Sequence, residues 1–258
     1  MNSAAVPAAA VPGTTILRNV RIWNGLDWVD ADSITLQGER IVAIGEADRD
    51  LRRARVINCA GAVAMPGLMD AHVHMELNPE DTKPPATTNM NQRQEMEQRA
   101  LAMVQAGITT ARDLGGGAWL EVALRDDIAS GMIPGPRLLC AGQPITTPAG
   151  HCHFWGGEAA NLEEARVVMA RQVDRGVDLI KVMASGGRMT RGSDPSRAQF
   201  DLTTLRGIVE SADAQGLPVA AHCHGTEAIE FAARARVRTI EHCSWEGGEG
   251  WASDYQDE

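Results

Sequence analysis

From Leu68 onward the sequence completes one pattern five times and opens it a sixth: a short apolar run that reads as a strand, a loop, then a segment with apolar residues at helical spacing. The strands fall at Leu68 to His74, Ile108 to Leu114, Arg137 to Ala141, Leu179 to Ala184, Pro218 to His222 and Thr239 to Cys243. Helices are predicted over Gln92 to Ala106, Trp119 to Ala129, Leu162 to Val173, Leu202 to Ala214 and Thr226 to Ala235, the first carrying Met96, Ala100, Met103 and Val104 on its apolar side. Asn161 and Asp201 stand where N-caps stand, and Gly107, Gly131, Gly176 and Gly216 where helices stop. Repeated β/α steps imply a parallel sheet with right-handed crossovers, either closed into a barrel or open and doubly wound. No GxGxxG follows the first strand, and polar residues sit at the C-terminal ends of several strands. Both features favour a barrel over a dinucleotide-binding sheet.

Ahead of that pattern, Thr14 to Ala64 reads as short alternating strands: Ile16 to Ile22, Ser33 to Gln37, Arg40 to Gly45 and Arg55 to Asn58, with turns at Asn24-Gly25 and Gln37-Gly38. The expected organisation is a disordered leader at 1–13, a small β-sandwich at 14–64 and the β/α region at 65–258. The leader has no basic n-region, and no stretch reaches the ~20 apolar residues of a membrane helix. Lys plus Arg number 24 against 34 Asp plus Glu, a net charge of −10, which disfavours nucleic acid or an anionic membrane as partner. Five cysteines, an odd number without a CxxC pair, argue against a disulfide framework and fit a reducing cytoplasm. A small molecule is the expected partner, with self-association into a homo-oligomer left open.

The polar strand ends carry the chemistry. His72 and His74 lie two residues apart on the first strand, so both imidazoles face one way and suit one metal ion. Lys181 interrupts the apolar run Leu179-Ile180-Lys181-Val182-Met183, where lost hydration lowers its pKa. It either snorkels to solvent or pairs with an acid, or its neutral amine captures CO2 as a carbamate able to bridge two ions. His222 and His242 end the fifth and sixth strands, and His224 points the same way as His222.

Four segments together carry a resemblance. Pro66-Gly67-Leu68-Met69-Asp70-Ala71-His72-Val73-His74, the run Ile180 to Gly187, and the strand ends Ala220 to Gly225 and Ile240 to Cys243 resemble the amidohydrolase superfamily. The likeness is to its imidazolonepropionase-like and prolidase-like branch, which includes dipeptidases and ochratoxin-type amidases. It implies a TIM-type (β/α)8 barrel, of which about six β/α units are present here. It also implies a binuclear centre, usually zinc, cleaving an amide, dipeptide or cyclic amide C–N bond by a metal-bound hydroxide. By matching positions, His72 and His74 hold one ion, His222 and His242 the other, and carboxylated Lys181 bridges them. His222 is preferred to His224 because it ends the strand. His224, His151 and Arg188 are expected near the substrate, and Asp113 either orients a ligand histidine, pairs with Arg112 or caps a turn.

The branch moves a proton to the leaving amine with an aspartate at the end of an eighth strand. Only sixteen residues follow His242, so that general acid/base is expected to be absent and the chain alone poorly active. The competing expectations are a non-catalytic incomplete barrel that binds metal or a partner chain, and phosphotriester hydrolysis on the same metal pair.

Overall fold

The computed structural model describes residues 13–45, 54–78, 91–247 and the backbone of 250–251. The expected leader, all but Gly13, lies outside these residues. The chain divides into two compact units, Met1–Gly67 and Leu68–Glu258.

The first unit holds β1 (Thr14–Arg18), β2 (Arg21–Trp23), β3 (Trp28–Val29), β4 (Ser33–Gln37), β5 (Arg40–Ile44), β6 (Arg55–Asn58) and β7 (Val63–Ala64). One sheet runs β5-β4-β1-β6 and the other β3-β2-β7. Val20, Ile22 and Ile34 form the buried core, and Leu17, Val29, Leu36 and Ala64 pack on it, so both sheets contribute. The single strand expected over Ile16 to Ile22 is in fact two. Asn19 adopts a left-handed φ of 52° between them, a conformation that asparagine tolerates better than most residues. Its side chain is anchored by donating to Asn58 Oδ1 at 3.0 Å. β3 and β7, at two residues each, are too short to show the alternation by which strands are read.

The second unit holds β8 (Leu68–Val73), α1 (Gln92–Gln105), β9 (Ile108–Asp113), α2 (Leu120–Ala129), β10 (Arg137–Cys140), α3 (Leu162–Asp174), β11 (Ile180–Met183), α4 (Leu202–Asp213), β12 (Val219–Gly225), α5 (Thr226–Ala235), β13 (Thr239–Gly247) and β14 (Gly250–Trp251). The helix starts follow their caps: Asn161 accepts from Glu164 N–H and Asp201 from Thr204 N–H. Leu205, Ile208, Val209 and Ala212 are buried along α4 at the spacing of one helix face. On α1, Met96 and Ala100 are buried and Met103 packs beside them, but Val104 is 37% exposed, contrary to expectation. α1 packs on β9, α2 on β10, and α5 on β12 and β13.

Strand alternation sorts the residues of the second unit. On β11 and β12, Ile180, Val182, Val219, Ala221 and Cys223 join the main core with the helices. The intervening residues, Lys181 and Met183 on β11, and Ala220, His222 and His224 on β12, therefore point to the opposite face. Leu179 and Ala220 on that face make a small cluster with Leu114 and Ala141. Strands buried on both faces read as near-continuous apolar runs, so a lysine and two histidines in them stand out.

About six β/α units of a (β/α)8 barrel are expected, and the described residues provide the six strands without closure. The described residues form six parallel strands in two sheets, β10-β9-β8 and β11-β12-β13 with β14 added antiparallel, and no closed barrel. The sheets meet where Asp178 N–H donates to Cys140 O at 2.9 Å and where Ile145 bridges Val182 in parallel. Closure requires strand number, tilt and register to agree around a full circle, and β8 and β13 are not paired with each other. No helix among the described residues is long and apolar enough to cross a membrane.

Candidate metal centre

His72, His74, His151, Lys181, Arg188, His222, His224 and His242 all line one cavity of about 250 Å³. The residues singled out from strands one, four, five and six, with those of two loops, therefore share one space. β8 and β9 shift register between Asp70 and Val73, yet His72 and His74 bring their Nε2 atoms to 3.3 Å. Two nitrogens each about 2.0–2.1 Å from a tetrahedral ion lie roughly that far apart. Both Nδ1 atoms are turned away and held. His72 Nδ1 lies 3.0 Å from Glu241 Oε2, and His74 Nδ1 lies 2.9 Å from the Gly115 carbonyl.

His222, His224 and His242 form a second group, with one potential ligand atom from each, all within 4.8 Å of one another. His242 also approaches the first pair, its ring centroid 4.9 Å from that of His72. The reason given for preferring His222 over His224 does not hold, because β12 continues to Gly225 and carries both on one face. His222 places Nε2 3.0 Å from the Gly186 carbonyl, leaving Nδ1 to ligate. His224 places Nδ1 2.6 Å from Ser244 Oγ, leaving Nε2.

Lys181 is 1% exposed, and its Nζ has no hydrogen-bond partner among the described residues. A buried, orphaned amine is costly, and burial holds its pKa down to about 8 against the pull of Glu241. Burial likewise holds His74 down to about 3, and His151 and His242 down to about 4, with neighbouring positive charge acting in the same direction. His222 lies well below the ordinary value, again from burial first and then from His151, Lys181 and His242. Imidazoles kept neutral at physiological pH retain the lone pair that a metal needs. Nitrogen donors converging on an unpartnered amine are a donor set that fits a divalent ion such as zinc.

Among the expected substrate contacts, His151 is 4% exposed and its Nδ1 is unpartnered among the described residues. Its ring centroid lies 4.6 Å from that of His222. The ring fits because Gly187 has no side chain, since a Cβ there would stand 2.5 Å from His151 Cε1 and Nε2. Arg188 reaches the cavity but is engaged by Glu246, its Nη2 donating to both carboxylate oxygens at 2.9 Å. Asp113 does not pair with Arg112. Its two oxygens accept the backbone N–H groups of Met75 and Gly115 at 2.8 and 2.9 Å. Burial foremost raises the Asp113 pKa above the ordinary carboxylate range, and nearby Glu76 adds to the rise.

Glu241 was missed as a contributor. Left-handed φ values of 65° at His242 and 50° at Cys243 break the strand alternation, so that Glu241 reaches His72 while its neighbour His242 lines the cavity. Desolvation opposes its ionisation, but hydrogen bonds from His72 and Thr239 and the charges of Lys181 and Arg112 hold it down to about 2. Thr239 and Glu241, two residues apart on the strand that carries His242, were the available signal.

Residues 63–248 match the model of a family described as "Amidohydrolase family". Among characterised proteins, the chain is 32% identical to an ochratoxinase of Aspergillus niger over 219 aligned positions, covering 73% of this chain and 45% of that protein. Among solved structures, it matches a Xaa-Pro dipeptidase with bound methionine at a TM-score of 0.80 and 27% identity, covering 90% of this chain and 62% of that one. It matches the A. niger ochratoxinase structure at 0.76 and 27%, covering 92% and 62%. The chain thus spans about half the length of the curated relatives it matches.

Proposed function

Because the chain belongs to the amidohydrolase family, we propose that it supplies the metal centre of a hydrolase that cleaves an amide, dipeptide or cyclic amide C–N bond. The observation that carries this reading is the convergence of His72, His74, Lys181, His222 and His242 on one cavity. Relatives that include an ochratoxinase and a Xaa-Pro dipeptidase support a dipeptide-like substrate.

In this reading His72 and His74 would hold one zinc ion through Nε2, and His222, through Nδ1, would hold the other with His242. Lys181 would join the two sites as a carbamate, its neutral amine adding CO2 and releasing a proton, so that an orphaned nitrogen is exchanged for anionic oxygens. When bound, two such ions polarise a carbonyl and lower the pKa of the attacking water. The protein's own groups orient and enclose the substrate. His151 offers its unpartnered Nδ1 as a hydrogen-bonding contact. Arg188 binds a substrate carboxylate with the N–H groups that Glu246 leaves free, and His224 turns Nε2 to the same space.

A second reading rests on the close grouping of His222, His224 and His242: a single ion bound by three imidazoles, with Lys181 left unmodified. Metal content, intact mass and hydrolysis of Xaa-Pro dipeptides and N-acyl amino acids, measured on protein reloaded with zinc and bicarbonate, separate the two. Two ions and a CO2 adduct that vanishes in Lys181→Met support the binuclear centre. One ion, lost in His224→Asn and kept in Lys181→Met, supports the alternative. A chain that retains no zinc overturns both.

A further inference from the structure

We propose that Glu241 is a positioning residue that commits His72 to present Nε2, and not Nδ1, to a metal ion. The inference rests on the metal-centre reading above and goes beyond it by assigning a role outside the ligand set.

Glu241 is buried on β13, and both Arg112 and Thr239 donate to its carboxylate. Oε1 accepts from Arg112 Nη2 at 2.7 Å and from Thr239 Oγ1 at 2.7 Å, and Oε2 lies 3.0 Å from His72 Nδ1. An ionised carboxylate only accepts, so the His72 proton must sit on Nδ1. That leaves the lone pair on Nε2, the atom facing His74 at 3.3 Å. Arg112 fixes the assembly from a third strand. Its Nη1 donates to Thr239 Oγ1 at 3.0 Å, and its Nε donates at 2.7 Å to the carbonyl of Ala71, the residue before His72. Strands β8, β9 and β13 are thereby tied at one carboxylate. His74 has the same tautomer imposed by a neutral carbonyl, that of Gly115. Of this pair, His72 is the one backed by a negative charge, the kind of partner that fixes a ligand imidazole's tautomer and ring orientation.

The test uses the full chain with 15N-labelled histidine, free of metal, and His72→Gln to assign the His72 signals. The wild-type His72 is expected to carry its proton on Nδ1. Glu241→Ala is expected to populate the Nε2–H form and to weaken the binding of one zinc ion by about 10–100-fold. Glu241→Gln, which keeps an accepting oxygen without the charge, is expected to keep the tautomer and lose part of the affinity. Arg112→Met separates a clamp from a positioner, since it is expected to leave the His72 proton on Nδ1. A wild-type His72 protonated on Nε2 overturns the proposal, as does a Glu241→Ala protein with unaltered tautomer and zinc affinity. If Glu241→Ala does not fold, the wild-type and Glu241→Gln spectra decide. If the wild-type chain binds no zinc, the metal-centre reading fails while the tautomer still answers the positioning question.

Discussion

Asp113 accepts the backbone N–H of Gly115 at 2.9 Å, and the carbonyl of the same glycine takes the Nδ1 side of His74 at 2.9 Å. The carboxylate is fully buried, and its other oxygen holds Met75 N–H. An asparagine has one accepting oxygen for these two donors. Asp113→Asn should therefore strand a buried N–H group at a cost of about 1–3 kcal/mol. For a chain of this size that is a drop in Tm of roughly 2–12 °C, read by calorimetry. Zinc titration should show weaker binding at the His72–His74 end, because His74 loses the anchored carbonyl that orients it.

Lys181→Met keeps the length of the side chain and removes the unpartnered ammonium. Without metal, the variant should be more stable than the wild type by about 1–3 kcal/mol and should lose the CO2 adduct. The pH dependence has a definite sign. Burial lowers the Lys181 pKa from 10.5 to about 8, so between those values the unfolded chain holds a proton that the folded chain has released. Wild-type stability should rise with pH across that window and fall as pH drops through about 8. Melting curves of metal-free Lys181→Met should lack this slope, and a slope identical to the wild type would count against the assignment.

Glu121 gives the opposite sign. It is fully buried, both carboxylate oxygens lack a hydrogen-bond partner among the described residues, and burial, then Asp113 and Glu76, raise its pKa. Its contribution to stability is complete below the ordinary carboxylate value of about 4 and is lost as pH rises through the raised folded value. Glu121→Gln cannot ionise, so it should gain on the wild type as pH increases. Melting temperatures of the two proteins at about pH 5 and about pH 8 should diverge more at the higher value.

Two glycines should separate stability from substrate handling. A Cβ on Gly157 would stand 1.9 Å from the carbonyl oxygen of Pro144, a backbone atom that cannot turn aside. Gly157→Ala should cost about 1–3 kcal/mol or more and lower Tm. The three atoms nearest a Cβ on Gly187 all belong to the His151 ring. Gly187→Ala should displace that ring, lower Tm less than Gly157→Ala does, and raise KM for a dipeptide substrate.

Most of this arrangement was legible because the signals were local. The β/α rhythm gave the order of strands and helices, and caps at Asn161 and Asp201 gave helix starts to the residue. The histidines and Lys181 were conspicuous because they interrupt apolar strands. Glu241 and Arg112 were not, because their pairing joins positions 129 residues apart and only folding brings them together. The split at Asn19 and the left-handed stretch at His242 and Cys243 escaped for another reason. They depend on single φ angles, which a hydrophobic pattern does not encode. Arg188 reads as a free anion-binding residue in sequence, but Glu246 engages it.

Along β12 neighbouring residues serve different masters: Val219, Ala221 and Cys223 belong to the helix-packed core, and His222 and His224 to the cavity. Insertion or deletion of a single residue before His222 would exchange the two sets, driving imidazoles among aliphatic side chains and turning alanine and cysteine toward the cavity. Changes of two residues preserve the alternation. Length variation in this strand should therefore be tolerated in even steps and rejected in odd ones, a parity constraint that substitution scanning would not reveal.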